Sequence, residues 1–186
     1  MILEFAKEIK NKIIFLNTNK KILTKIRKPF NNECIEFFDE LSNIILKDKK
    51  LQKYPDLIYF GFWIRKSRLL KLRNNYNLNN LFGRGLLFHV APSNTPLNFI
   101  YSFCFGVLSG NSNIIKIPTK EFAEIKIFFN ILKKLKRKNS KKILLNNLFL
   151  RYKNYDEVNK FLSANCNARL IWGGDDTINL FKKYNT

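Results

Sequence analysis

Residues 85–116 read GLLFHVAPSNTPLNFIYSFCFGVLSGNSNIIK. Between Arg84 and Lys116 there is no charged residue other than the titratable His89, although the whole chain carries a formal net charge of +20. A window that stays uncharged in so basic a chain is one that folding buries. Leu86 to Ala91 is a continuous apolar run, suited to a parallel strand covered on both faces. Pro92-Ser93-Asn94-Thr95-Pro96 is a turn. An apolar helix to about Ser109 follows, with Pro96 in its first turn and Gly110-Asn111 at its end. Asn113 to Ile117 is a second strand, stopped by Pro118. The window is therefore a βαβ unit, and such units bind ligands at the carboxyl ends of their strands.

Downstream the alternation continues. Thr119 is placed to cap a long helix to about Lys138, with Phe122, Ile125, Phe129, Leu132 and Leu135 on its buried side. Leu148 to Tyr152 is a third strand, Asp156 to Asn165 a helix, and Ala168 to Trp172 a fourth strand. Gly173-Gly174-Asp175-Asp176 turns into a last helix. Alternating strands and helices predict a parallel sheet with right-handed crossovers, a Rossmann-like α/β fold. Upstream, residues 32–48 form an amphipathic helix capped by Asn31 or Asn32, with Phe37, Phe38, Leu41, Ile44 and Ile45 on one face. Leu57 to Leu72 is also helical. The expected organisation is a mainly helical segment over residues 1–80 and part of a cofactor-binding domain over 83–186.

Composition narrows the function classes. Cys34, Cys104 and Cys166 form no CxxC and have no histidine nearby, so no zinc site or disulfide framework is expected. Their odd number, with no secretion signal, fits a reducing cytoplasm. The apolar part of the window, roughly Phe99 to Leu108, is too short to span a membrane. The densest cationic block, KKLKRKNSKK over residues 133–142, follows an amphipathic helix, where cations suit the C-terminal dipole. Lysine is spread along the whole chain, so no specific nucleic-acid partner is expected, although a basic chain keeps that class open.

Two turns have the chemistry of a nucleotide site. Gly173 and Gly174 follow a strand and open a helix, where free N–H groups favour a phosphate, but Asp175 and Asp176 already satisfy that dipole and repel an anion. A plain βα turn is the simpler account of that dipeptide. Asn94 either bridges its own turn or donates its amide to a developing oxyanion. Lys116 either snorkels to solvent or reaches a ribose or phosphate. His89 and Cys104 read as core residues.

Taken together these residues resemble the LuxC-type acyl-CoA reductases, which make fatty aldehyde in bacterial luminescence and belong to the aldehyde dehydrogenase superfamily. Pro92-Ser93-Asn94-Thr95-Pro96 resembles the superfamily's P-x-N-x-P turn. Gly110 to Pro118 resembles its G-N-x-x-x-x-K-P stretch, with one residue inserted before the proline. Ile171-Trp172-Gly173-Gly174-Asp175 resembles the LuxC-type W-G-G-D. The likeness spans roughly residues 50–186. It implies Asn94 as the oxyanion donor, Lys116 at the adenosine ribose, and Gly173 and Gly174 at the pyrophosphate. Many NAD-using relatives carry a ribose-binding Glu three residues after the lysine; here Thr119 stands there, followed by Lys120. Replacing a carboxylate beside a cation removes repulsion against a 2′-phosphate, so the implied cofactor is NADP, as NADPH.

The implied reaction reduces an acyl-CoA or acyl-carrier thioester to an aldehyde through a cysteine acyl-enzyme. The superfamily's catalytic cysteine lies well beyond the Gly-Gly turn, in a separate domain, and no cysteine follows Gly174 here. The expectation is an N-terminal part without activity on its own, completed by a separate polypeptide or a homo-oligomer. A degenerate remnant and a basic nucleic-acid-binding protein are the alternatives.

Overall fold

A computed structural model describes residues 2–17 and 20–185. In chain order the elements are β1 (Ile2–Leu3), α1 (Lys7–Lys10), β2 (Ile14–Phe15), β3 (Ile22–Leu23), α2 (Asn32–Lys47), a 3₁₀ turn at Lys49–Leu51, α3 (Pro55–Trp63) and α4 (Lys66–Arg73). The α/β part follows with β4 (Leu86–Val90), α5 (Asn98–Leu108), β5 (Ser112–Lys116), α6 (Ala123–Lys133), α7 (Lys138–Leu145), β6 (Asn147–Arg151), α8 (Asp156–Ala164), β7 (Ala168–Ile171) and α9 (Asp175–Lys182).

The main sheet has the order β2-β6-β5-β4-β7. β4, β5, β6 and β7 pair in parallel, and β2 closes one edge antiparallel to β6, with Ile14 opposite Arg151. From β4 the chain moves outward to β5 and β6, then returns to place β7 on the other side of β4. Strand order therefore reverses at β4, which opens a crevice beyond the carboxyl ends of the strands.

Period-2 alternation divides the strand side chains between two apolar layers. Leu86, Phe88, Val90, Ile114, Leu148 and Leu150 pack with α8 and α9, through Val158, Leu162 and Phe181. Ile115, Ile117 and Phe149 pack with α2, α5 and α6 on the opposite face. Phenylalanines interlock there: Phe99, Phe128, Phe129 and Phe149 sit 5.2–6.3 Å apart, mostly edge to face, a geometry that adds to simple area burial.

The α/β order expected from sequence is the observed one, and residues 32–73 carry α2, the 3₁₀ turn, α3 and α4. Four local expectations change. Residues 2–23 contribute three short strands, because β2 pairs with β6 and β1 with β3. The expected helix over Leu57 to Leu72 is two helices, broken at Ile64 and Arg65. Pro96 lies ahead of α5, which begins at Asn98 with Leu97 as its N-cap residue. Thr119 caps nothing: α6 starts at Ala123 after an extended Phe122, and the long helix is broken at residues 134–137.

That last break has a cause on another helix. The carboxylate of Glu40, on α2, accepts hydrogen bonds from the backbone N–H of Lys136 at 2.8 Å and Arg137 at 3.2 Å, and from the Ser140 hydroxyl at 2.5 Å. It caps the N-terminus of α7 from a distance, supplying the acceptor that helix starts need. Burial raises the Glu40 carboxyl, but the bonds from Ser140, Lys136 and Arg137 outweigh it and hold the group below its ordinary value. The basic block beside this break is partly paired with carboxylates in and just after α2: Lys134 with Asp48 at 3.1 Å, Arg137 with Asp39 at 3.2 Å, Lys142 with Glu33 at 3.8 Å. Glu40→Ala is expected to destabilise the fold by about 2 kcal/mol, the scale of charge-assisted hydrogen bonds. Urea denaturation measures it, and a midpoint within error of the parent would refute the long-range cap.

His89 is the satisfied core residue expected from its place in a buried strand. It is 0% exposed. Its Nδ1 lies 2.7 Å from Ser102 Oγ on α5, and its Nε2 lies 2.8 Å from Asn113 Oδ1 on β5. Asn113 Nδ2 in turn donates to Asn147 Oδ1 at 2.7 Å. Burial lowers the His89 pKa to about 4, so the ring is neutral at pH 7. Among the described residues no helix is long and apolar enough to cross a membrane.

Candidate functional site

Four strand ends meet at the point of reversal, joined by three backbone hydrogen bonds. Ala91 N–H donates to the Lys116 carbonyl at 3.1 Å, Trp172 N–H to the Val90 carbonyl at 3.0 Å, and Ile117 N–H to the Leu150 carbonyl at 2.9 Å. These bonds carry the pairing one residue past the strands and fix the loops that leave them. Together the loops enclose a cavity of about 610 Å³, within the usual range for a small-molecule site.

Asn94, Lys116, Thr119, Gly173 and Gly174, the five residues singled out in the sequence, all line this cavity. Pro92 and Ser93 join them from the first turn, and Asn154, Thr177 and Trp172 complete the wall. No carboxylate lines it, and Lys116 is its cation.

Lys116 is the last residue of β5, and alternation along the strand leaves it half-buried at the cavity edge. Its Nζ donates to Asn154 Oδ1 at 3.1 Å and lies 5.0 Å over the Tyr152 ring. Burial alone pulls its ammonium below the ordinary value. Neither neighbour is a carboxylate, so the positive charge is available to an anion.

The two glycines are glycine for different reasons. A Cβ on Gly173 would strike the Thr177 side chain at 2.9 Å, so that position is set by the close folding of the turn onto α9. A Cβ on Gly174 would meet nothing within 4 Å, and its backbone is ordinary at φ −72° and ψ 175°. What Gly174 provides is open approach to the N-terminus of α9, where it is the N-cap residue and supplies no side-chain cap. Uncapped N–H groups at a helix start are anion donors. Asp175 and Asp176, which the sequence suggested would repel an anion, are exposed in the first turn and do not line the cavity.

Asn94 is exposed in the first turn, and its amide has no hydrogen-bond partner among the described residues. It does not bridge its own turn and is free to donate. The next residue, Thr95, holds an Oγ1 that is shielded from solvent without a partner. Thr119 is exposed at the opposite rim.

Asn154, Thr177 and the link between Trp172 and Ser102 escaped the sequence. The Trp172 indole N–H donates to Ser102 Oγ at 2.9 Å, a contact across 70 positions with no local signal. Asn154 and Thr177 reach the cavity only because β6 and α9 end beside it. All three cysteines are buried and none lines the cavity. Burial raises the Cys34 thiol to about 11, raises Cys166, and raises Cys104 well above its ordinary value. Among the described residues no group of three or more His, Cys, Asp or Glu could hold a metal.

A protein-family model described as acyl-CoA reductase (LuxC) matches residues 18–185. No curated protein and no solved structure matches the chain.

Proposed function

The chain belongs to the LuxC acyl-CoA reductase family, and on that premise we propose that its cavity is the NADPH site of an acyl-thioester reductase. The family reduces acyl thioesters with a pyridine nucleotide. One observation carries the assignment to this cavity. A single half-buried cation, an uncapped helix start and an open glycine converge where the sheet reverses, with no carboxylate among the lining residues.

The lining residues fit the group. Lys116 faces the ribose and phosphate end, and the N–H groups behind Gly174 take the diphosphate charge. Thr119 and Lys120 stand where a ribose-binding carboxylate would reject a 2′-phosphate, which favours NADPH over NADH. The nucleotide supplies the hydride when bound. The Asn94 amide, exposed and uncommitted, donates to the thioester carbonyl oxygen as it gains negative charge. Overall, acyl thioester, NADPH and a proton give aldehyde, free thiol and NADP. All three cysteines are buried and none lines the cavity, so the chain is expected to bind nucleotide without turning over acyl-CoA.

Fluorescence titration tests this reading directly. NADPH is expected to bind about tenfold more tightly than NADH, and Thr119→Glu to reverse that order, the scale of one like-charge contact. Lys116→Ala should weaken both nucleotides by about tenfold or more, the loss of one charged contact. Unchanged affinity in Lys116→Ala would sink the assignment, and NADH preference in the parent would sink the choice of cofactor.

A further inference from the structure

A path of hydrogen bonds leaves the core and ends on the cavity wall. His89 and Ser102 are both 0% exposed. Asn113 Nδ2 donates to Asn147 Oδ1 at 2.7 Å and to the Asn111 carbonyl at 3.2 Å. Its Oδ1 therefore accepts, and the donor facing it at 2.8 Å is His89 Nε2–H. That leaves His89 Nδ1 as an acceptor, 2.7 Å from the Ser102 hydroxyl, which donates to it. Ser102 Oγ is then free to accept the Trp172 indole N–H at 2.9 Å. Every bond runs in one donor direction, from Trp172 inward to Asn147, and only the neutral Nε2–H tautomer satisfies all of them.

Trp172 needs such a tether. It is 39% exposed and belongs to neither apolar cluster. Two hydrogen bonds hold it: its backbone N–H to Val90 and its indole N–H to Ser102. Gly173 and Gly174 follow immediately, and glycine resists bending least. The turn that forms one wall of the cavity thus takes its orientation from a tryptophan anchored to α5.

We propose that His89 is a positioning residue: acting through Ser102, it fixes the Trp172 indole and with it the Gly173–Gly174 turn over the cavity. Its effect on nucleotide binding rests on the cofactor reading above; its effect on the indole does not.

The test uses the Trp63→Phe chain, in which Trp172 is the remaining tryptophan, compared with the same chain carrying Ser102→Ala. Alanine suits the helix, circular dichroism checks that the variant is folded before exchange is read, and His89→Leu is the companion, expected to shift exchange in the same direction. The indole proton of Trp172, followed by NMR hydrogen exchange, should exchange about tenfold faster or more in Ser102→Ala, as expected when a protecting bond is lost. NADPH affinity should fall about five- to tenfold with it, the effect of one neutral hydrogen bond. Exchange unchanged from the parent would overturn the path. A freed indole with unaltered NADPH affinity would overturn the positioning role. If the parent binds neither NADPH nor NADH, the cofactor reading fails while indole exchange still decides for or against the path.

Discussion

Gly106→Ala is expected to lower stability by about 3–4 kcal/mol, although alanine is the better helix former by up to about 1 kcal/mol. Gly106 lies in α5 where the helix crosses His89 and Asn113. A Cβ there would overlap Asn113 Oδ1, stand 2.7 Å from Asn113 Cγ and 3.0 Å from His89 Cε1. Neither neighbour can yield cheaply. Asn113 is 0% exposed and is held by His89, Asn147 and the Asn111 carbonyl. Moving it leaves buried polar atoms unpaired at about 1–3 kcal/mol, and overpacking adds about as much. Thermal and urea denaturation of the purified variant measure the loss. A melting temperature equal to or above the parent's would show that α5 can lift off the sheet without breaking the network.

The second large effect is acid sensitivity in a window set by His89. An unfolded histidine titrates near 6.5, whereas burial lowers His89 to about 4 in the fold. Between those values the unfolded chain binds a proton that the folded chain refuses. The contribution of the neutral ring is therefore complete above pH 6.5, fades as pH falls, and is gone below pH 4. The span corresponds to about 3 kcal/mol. Glu33 and Glu40 titrate below the ordinary carboxylate value, so their losses fall at the lower end of the window or beneath it. Urea unfolding at half-unit steps from pH 7 to pH 4 should show the decline, and His89→Gln should flatten it between pH 6.5 and pH 5. An equal slope in parent and variant would remove His89 from the account.

The α/β core was legible because three of its strands are short runs with an apolar centre, closed by a turn residue: Leu86–Val90 before Pro92, Ser112–Lys116 before Pro118, Ala168–Ile171 before Gly173. The five cavity residues were legible for a related reason, since they end those runs or lie in the turns after them, and strand ends converge in any parallel sheet. What escaped depends on partners distant in sequence. β1, β2 and β3 have two residues each, too few for any periodicity. The break between α6 and α7 is imposed by Glu40 from α2, while the local pattern runs on unbroken through Leu135. The Trp172–Ser102 bond joins a turn to a helix that precedes it by three further strands. The organisation into segments 1–80 and 83–186 is crossed by contacts: Arg27 N–H donates to the Gly110 carbonyl at 2.9 Å, and Arg27 receives the Gly83 N–H at 2.9 Å on its own carbonyl. Gly110 reaches that position at φ +85°, a conformation glycine adopts freely.

The antiparallel edge strand β2 has a consequence for synthesis. Its sheet partner among the described residues, β6, leaves the ribosome more than a hundred residues later, a delay of roughly 10 s at ordinary elongation rates. Through that interval Ile13, Ile14 and Phe15 have no edge to join, and the nascent chain carries this apolar segment unshielded. Strand β2 is thus made well before the strand that it must join, and the interval before β6 emerges is when chaperone capture or misassociation has most to act on.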